Sequence, residues 1–321
     1  MSLNHGREAF REFRYWHESV LAALLIALLV AAGIADPAFL HVGVQTELST
    51  HVWELGLLAL PMTLIIVTAG VDLSVGAMMA LSAVILGLSY EAGISPWVGA
   101  WLALLTGIAA GAINGVFVAW VRVHPLIVTL ATLAAYRGVA EGISLARPVS
   151  GFPESFAVLG RGHLAGVPIP GAIFAVTALL AAVVLARAPF GRALYAIGNN
   201  EAAARFSGIA VARAQLWIYT LSGAAAGLAA VIFVARRNTA KADIGTGMEL
   251  DVITAVVLGG TSIYGGRGRI LGTLLGVLLI HEAREFVSWK WERDELNLIV
   301  IGALLIVSVL LNSLSSRRET E

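Results

Sequence analysis

Long apolar runs almost free of charge constrain the fold of this chain more than any other feature of its sequence. A helix needs about 20 mostly apolar residues to cross a bilayer. The candidate runs cover residues 19–35, 50–70, 74–90, 96–120, 125–145, 168–186, 214–234, 250–264, 270–288 and 296–313. They predict an all-α, polytopic membrane bundle of about ten transmembrane helices. The short run 250–264 and the glycine-punctuated break at 70–76 leave that count open by one.

The composition agrees with a membrane protein and excludes several other classes. Hydrophobic residues make up 58% of the chain and charged residues only 13%, whereas soluble domains carry about 25% charged residues. Lys+Arg and Asp+Glu both number 21, so no basic surplus favours nucleic acid as a partner. The absence of cysteine removes disulfides, thiolate metal sites and cysteine nucleophiles.

The distribution of basic residues predicts the orientation. The first run follows a long polar segment with both acidic and basic residues, so we interpret it as an uncleaved first span rather than a signal peptide. Lysine and arginine concentrate in inner loops, which favours cytoplasmic N- and C-termini. The resulting division is a cytoplasmic segment 1–18, a transmembrane domain 19–313 with an outer loop 146–167 and a cytoplasmic loop 187–213, and a cytoplasmic tail 314–321.

The stretch "AIGNNEAAARFSGIAVARAQ", residues 196–215, predicts a short polar helix inside that cytoplasmic loop. Asn200 suits the N-cap, Glu201 complements the helix dipole and Gly208 suits the position after the last turn. A helix of about seven residues is not stable alone, so it must pack against something. It is either a docking element for a soluble subunit or an ordinary connecting helix.

Two glycine-rich breaks form a weak internal repeat. "VTAGVDLSVGA" (67–77) aligns with "VLGGTSIYGGR" (257–267), each between two apolar runs. Paired interrupted spans in two halves of a chain point to a transport pathway, although helix packing alone also favours such glycines. The break residues are Gly70, Asp72, Ser74, Gly76, Gly260, Gly265 and Gly266.

Asp72 is the acidic residue of the first break. A carboxylate at bilayer depth suggests work on a proton or a substrate. Because a Ser follows two positions later and an apolar run comes next, Asp72 or Ser74 capping the following helix is the stronger interpretation.

Arg137 and Glu141 are four residues apart and therefore share a helix face. Charges within a span pair with each other and face the protein interior, so these two residues are candidates for lining a polar pathway. Equally, both could lie at the outer end of the span, with Arg137 extending towards water.

The stretch "LLIHEAREFVSWKWERDEL" (278–296) places polar side chains at helical spacing on one stripe, next to tryptophans that suit a membrane interface. The stripe consists of His281, Arg284, Glu285 and Ser288. Converging polar groups near an aromatic face can bind a sugar-sized ligand. The alternative is the solvated end of a helix at the outer interface.

Motifs for enzymatic chemistry are missing from the sequence. It contains no G-x-x-x-x-G-K-[ST] nucleotide loop, no H-E-x-x-H metal motif and no G-x-S-x-G elbow. We therefore expect no metal site, no catalytic residues and no cofactor bound by this chain.

Four stretches resemble the membrane permeases of bacterial sugar-importing ABC transporters, of the ribose, xylose and galactose type. They are "AGVDLSVGAMMALSA" (69–83), "HPLIVTLATLAAYRG" (124–138), "GRALYAIGNNEAAARFSGI" (191–209) and "ELDVITAVVLGGTSIYGGRGRILGTLLG" (249–276). The resemblance implies a bacterial inner-membrane protein that works with a cytosolic ATPase carrying ATP and Mg²⁺, a second permease copy or paralogue, and a periplasmic or lipid-anchored sugar-binding protein. It also implies that the polar helix is the ATPase-coupling element, comprising Asn199, Asn200, Glu201, Ala202, Ala203, Arg205 and Gly208.

The chain departs from this resemblance after "GTLLGVLLI". Many such permeases have an asparagine-rich stretch there, whereas this chain has His281, Glu282, Arg284 and Glu285. The sequence of this stretch is most similar to that of rhamnose-type permeases. It predicts a rhamnose-like solute, with autoinducer-2 as the second candidate. The rival interpretation is an ion- or proton-coupled secondary transporter in which Asp72 and the Arg137–Glu141 pair form the relay. A membrane-embedded enzyme, the third possibility, lacks an assembled catalytic set.

Overall fold

A computed structural model of the chain describes residues 16–49 and 52–291, together with positions 296, 297, 299, 300, 302, 303 and 306. The predicted cytoplasmic tail 314–321, residues 1–15 of the N-terminal segment and most of the run 296–313 lie outside the described residues.

Helices dominate the described chain. The first group is α1 Trp16–Ala35, α2 Val42–Leu48, α3 Val52–Val67, α4 Val75–Glu91, α5 Pro96–Val116 and α6 Pro125–Ser144. The second is α7 Glu154–Arg161, α8 Ile169–Arg187, α9 Pro189–Asn199, α10 Glu201–Phe206, α11 Val211–Arg237, α12 Met248–Leu258 and α13 Ile270–Trp291. A 3₁₀ turn, Pro37–Leu40, follows α1, and a π turn, Phe117–Val121, extends α5.

Five helices in the described part of the chain are long and apolar enough to cross a membrane, or six if the bent pair α2–α3 forms one span. The five are α1, α5 with its π turn, α6, α8 and α11. A helical membrane protein is therefore confirmed, while the count of ten spans stays a prediction. The run 250–264 shows why: its helix, α12, has 11 residues, or about 17 Å at 1.5 Å per residue, because the glycine-rich break begins at Gly259.

Glycines let the helices α5 and α11 approach each other closely. A Cβ added at Gly107 or Gly111 of α5 would collide with the backbone of α11 at Gly223. Lipid provides no hydrophobic drive between helices, so close backbone packing at small residues is the usual source of association in membranes. The core around this contact includes α3, which is buried along almost its whole length.

Two short antiparallel strand pairs close the end of the bundle away from α9 and α10. β1 (Val149–Ser150) pairs antiparallel with β4 (Thr239–Ala240), with Val149 opposite Ala240. β2 (His163–Leu164) pairs antiparallel with β3 (Val167–Pro168). α7 lies between these pairs, and its Arg161 Nε donates to the Arg236 carbonyl at 2.7 Å. The predicted loop 146–167 is thus an ordered cap.

Candidate functional site

A single residue separates the two short helices α9 and α10. The Asn200 backbone N–H donates to the Ala196 carbonyl at 3.1 Å and so ends α9. Its side-chain oxygen accepts from the Ala203 N–H at 2.9 Å and so caps α10. An asparagine in this extended conformation, φ −164°, satisfies one of the N–H groups that a helix start leaves without a partner.

The end of α10 also follows from the sequence. Gly208 has φ +84°, a left-handed conformation that glycine adopts without strain. Glu201 and Arg205 form an ion pair at 2.6 Å across one turn, with both side chains almost half exposed. The predicted helix at 201–207 with Asn200 as its cap is therefore confirmed, and α10 ends one residue earlier, at Phe206.

The last turn of α9 packs against the point where the two glycine-rich breaks meet. A Cβ added at Gly198 would collide with the Val67 carbonyl and the Gly266 N–H. Those two groups are themselves hydrogen bonded at 2.8 Å, which joins the end of α3 to the second break. Asn199 lies directly against Gly266. The two breaks and the polar helix pair, distant in sequence, thus form one contact.

Tyr195 adds a second attachment between α9 and the second break. Its hydroxyl donates to the Gly268 carbonyl at 2.6 Å. Burial raises the pKa of this hydroxyl, against the opposing charge of Arg269, so the group remains a proton donor at neutral pH. Because Gly268 lies between the second break and α13, this hydrogen bond ties α9 to the start of α13.

Two clefts flank the helix pair. The larger, of about 840 Å³, includes His17, Arg192, Tyr195, Arg267 and Arg269. The smaller, of about 430 Å³, lies between the first break and the start of α10. Its lining includes Thr68, Ala69, Arg122, Asn199, Asn200, Glu201 and Arg205. Both clefts are open and have arginine side chains in their walls; α9 contributes to both linings and α10 to that of the smaller cleft.

Phe206 is 93% exposed at the end of α10. Exposing the apolar surface of an aromatic ring to water is unfavourable. Such rings are typical anchors of protein interfaces, where a partner buries them. The ring lies on the same short helix as the exposed Glu201–Arg205 pair. The helix pair therefore offers one apolar group surrounded by charges.

Asp72 is fully buried and holds the first break in place. One carboxylate oxygen accepts from the Ser74 N–H at 3.0 Å and from its hydroxyl at 2.7 Å. The other accepts from Ser222 of α11 at 2.8 Å, and Asn114 of α5 donates to the Ser74 hydroxyl at 2.8 Å. The capping interpretation is wrong in detail, since neither side chain bonds an N–H inside α4; the carboxylate instead cross-links the break to α11.

The two breaks differ in backbone conformation despite their alignment. Gly260, Gly265 and Gly266 all have positive φ, whereas in the first break the positive φ falls on Ala69. Gly76 already lies within α4, where a Cβ would collide with the Gly245 carbonyl. Gly70 instead approaches Tyr219 and Ile65 closely. The aligned glycines thus serve different packing needs.

Arg137 does not form an ion pair with Glu141 among the described contacts. Its guanidinium donates to the backbone carbonyls of Ala242 and Ile244, the latter at 2.9 Å. Glu141 is exposed on the same helix, α6. Arg137 therefore holds the chain that leads into α12.

The stripe on α13 faces several neighbours. Arg284 forms an ion pair with Asp251 of α12. The Nδ1 atom of the buried His281 lies 4.0 Å from Glu285, and Ser288 accepts a hydrogen bond from Asn297 at 2.7 Å. None of these four residues lines either cleft. Their role in a pathway stays a prediction.

Several residues of the site escaped the sequence interpretation. The predicted site residues do not include Gly198, Tyr195, Phe206 or Ser222, although the first three lie in the predicted loop 187–213. An aromatic residue on a short polar helix could have pointed to Phe206. A small-residue requirement at Gly198 and a serine partner for Asp72 arise from contacts between distant segments, which spacing along the chain does not encode.

Comparison with known proteins matches this chain to transport permeases. A family model described as the permease component of branched-chain amino acid transport systems matches residues 46–309. The autoinducer-2 import system permease protein LsrD of Yersinia enterocolitica is 36% identical over 95% of this chain and 94% of its own length. The ribose import permease protein RbsC of Bacillus subtilis is 38% identical over 90% of each chain. No solved structure matches.

Proposed function

Since the chain belongs to the transport permease family that includes ribose and autoinducer-2 import permeases, we propose that it moves a small sugar-like solute inward as the membrane subunit of an ATP-driven importer. The observation that carries this proposal is the close packing of Gly198 against the hydrogen bond that joins Val67 to Gly266. A force applied to α9 and α10 would reach both breaks directly, because Gly198 contacts backbone atoms on each side.

The subunit that hydrolyses ATP in such an importer is a separate chain. No nucleotide loop occurs in this sequence, so ATP and Mg²⁺ would bind a cytosolic ATPase that docks on α9, α10 and the two clefts. In this arrangement residues 199–208 are the coupling element. ATPase closure would shift α9 against the breaks and alternate the access of the solute route between the two sides.

The remaining assembly follows the same proposal. The permease works with a second copy or a paralogue, and a binding protein outside delivers the solute. The chain lies in a bacterial inner membrane with about ten spans and both termini in the cytoplasm. That orientation places the arginines of both clefts, such as Arg122 and Arg267, on the inner side, in agreement with the positive-inside rule.

Ribose and autoinducer-2 are the first solutes to test, because relatives that cover at least 90% of the chain are named for them. The rhamnose-type solute predicted from residues 281–285 has no support among these relatives and belongs in the test panel. The rival ion-coupled mechanism gains no support either. Its proposed relay is not assembled, since Asp72 accepts from two serines while Arg137 donates to backbone carbonyls.

Uptake of radiolabelled ribose and autoinducer-2 by proteoliposomes with the permease, its co-encoded ATPase and its binding protein tests the function. We expect uptake that requires enclosed ATP and continues in the presence of an uncoupler. An ATPase variant unable to hydrolyse ATP is the control and should abolish uptake. Uptake that collapses with the uncoupler but continues without ATP would instead establish the ion-coupled mechanism.

Replacing Phe206 by alanine should weaken ATPase binding without unfolding the permease, because the ring is 93% exposed. Aromatic anchors at interfaces contribute about 2 kcal/mol or more, so the dissociation constant should rise about 30-fold or more. Titration of the solubilised permease with the purified ATPase measures it. Leu164→Ala is the matched control: this side chain is 68% exposed but lies in the loop 146–167. Equal affinities for both variants and the wild type would remove Phe206 from the docking surface.

A further inference from the structure

Residues 241–247 form a non-helical segment that runs along α4 between β4 and α12. At its start Ala240 packs against Gly87, and at its far end Gly245 packs against Gly76. These glycines are 11 positions apart on α4, about 16 Å along the helix axis. The segment therefore runs beside α4 from the β1–β4 strand pair towards the middle of the bundle.

Two helices independently place this segment at membrane depth. Gly76 lies 15 positions before the end of α4 at Glu91, about 22 Å along the axis, and the hydrocarbon core is about 30 Å thick. Arg137, in the middle of the membrane-spanning helix α6, binds the carbonyls of Ala242 and Ile244. The segment thus enters the thickness of the bilayer.

The exposed side of this segment is charged. Lys241 and Asp243 form an ion pair at 3.1 Å, and their side chains are 42% and 68% exposed. Glu249, Glu141 and Asp243 are near enough for their charges to act on Arg137. Exposed irregular backbone and exposed charges are not stable against lipid and occur at this depth only beside water or protein.

The contrast with α8 shows what a lipid-facing surface of this protein looks like. Its exposed side chains are large and apolar, namely Val176, Leu179, Leu180 and Val183. α6 also exposes large apolar side chains, Val139 and Ile143, but its face next to Arg137 carries Gly138 and Gly142, and a Cβ added at either glycine would meet nothing within 4 Å. Open space, small residues and charges therefore adjoin one another along α6 and segment 241–247.

We propose that segment 241–247 and the exposed face of α6 around Arg137 and Glu141 line the aqueous route of the solute. This inference rests on the proposed importer function and specifies the surface that the solute passes. The guanidinium and ammonium groups donate hydrogen bonds, while the carboxylates accept them. Because Arg137 and Lys241 are balanced by Glu141 and Asp243, the surface suits an uncharged polyhydroxyl solute better than an ion.

Cysteine accessibility tests this proposal cleanly, since the natural chain contains no cysteine. Asp243→Cys, Thr246→Cys and Gly138→Cys replace exposed residues of the proposed lining. Leu179→Cys is the control, at mid-helix on the apolar face of α8. The probe is 2-sulfonatoethyl methanethiosulfonate, a charged reagent that attacks thiolates and does not enter lipid, applied to the assembled importer in membranes.

We expect the three lining cysteines to react at least about tenfold faster than Leu179→Cys, since thiolates form in water and not in hydrocarbon. Reaction should also block ribose or autoinducer-2 uptake. If all three react as slowly as Leu179→Cys while uptake remains ATP-dependent, lipid or a second copy covers this face and the lining proposal is overturned. Fast reaction in a protein without ATP-dependent uptake would retain the aqueous face and reject the importer function.

Discussion

Alanine at position 198 is expected to reduce ATP-dependent uptake about 5- to 150-fold. The added methyl group would collide with the Val67 carbonyl and the Gly266 N–H. Both are backbone atoms within one hydrogen bond, so no side chain can rotate away. Overpacking of this kind costs about 1–3 kcal/mol. If that free energy disfavours the docked position of α9, uptake falls by about 5- to 150-fold.

The matched control is Gly43→Ala. Gly43 is also helical, but a Cβ there would meet nothing within 4 Å, so the change should raise helix stability by up to about 1 kcal/mol. Comparing uptake per membrane-inserted permease separates coupling from expression. Thermal unfolding of both variants in detergent reports the packing cost directly. Wild-type uptake and stability for Gly198→Ala would show that α9 does not need this close contact.

Arg236→Ala is expected to produce the largest loss of stability. Its guanidinium donates two hydrogen bonds to one oxygen of Glu54, at 2.9 and 3.1 Å, and the side chains of Arg236 and Glu54 are only 9% and 3% exposed. Removing one member of a buried ion pair leaves the other charge in an apolar environment and costs about 3–5 kcal/mol. The free energy of unfolding in detergent should fall by that amount, with a corresponding loss of folded permease.

The double variant Glu54→Leu/Arg236→Met distinguishes charge burial from loss of side-chain volume. Replacing both members by apolar residues of similar size removes the desolvation cost and is often neutral. We therefore expect the double variant to regain most of the stability that Arg236→Ala loses. A double variant as unstable as the single one would show instead that the ion pair between Glu54 and Arg236 is itself required.

The proposed coupling element and the proposed solute route are joined by one short stretch of chain. Val67 contacts Gly198, and Gly76 contacts Gly245. Between them Asp72 fixes the break to α11 through Ser222. A displacement of α9 would therefore be transmitted through residues 67–76 to the segment beside Arg137, without passing through the lipid-facing helices.

Much of the secondary structure could be predicted from local patterns. Asn200 and Gly208 predicted α10 to within one residue, because capping depends on neighbours along the chain. Apolar runs predicted the helical bundle for the same kind of reason. The run 250–264 predicted a helix that is too long at its end, because hydrophobicity does not show where glycines end a helix. In the structure α12 ends at Leu258.

By itself, then, the sequence determined that this is a helical membrane protein with one short capped polar helix and two glycine-rich breaks, since hydrophobicity, caps and turns act over a few residues. Only the tertiary structure decided what these pieces do together. It packs Gly198 against the hydrogen bond between Val67 and Gly266, pairs Arg137 with the carbonyls of segment 241–247 and not with Glu141, and gives Asp72 a partner 150 positions away. Such contacts depend on how helices far apart in sequence pack against one another, and no local pattern records that.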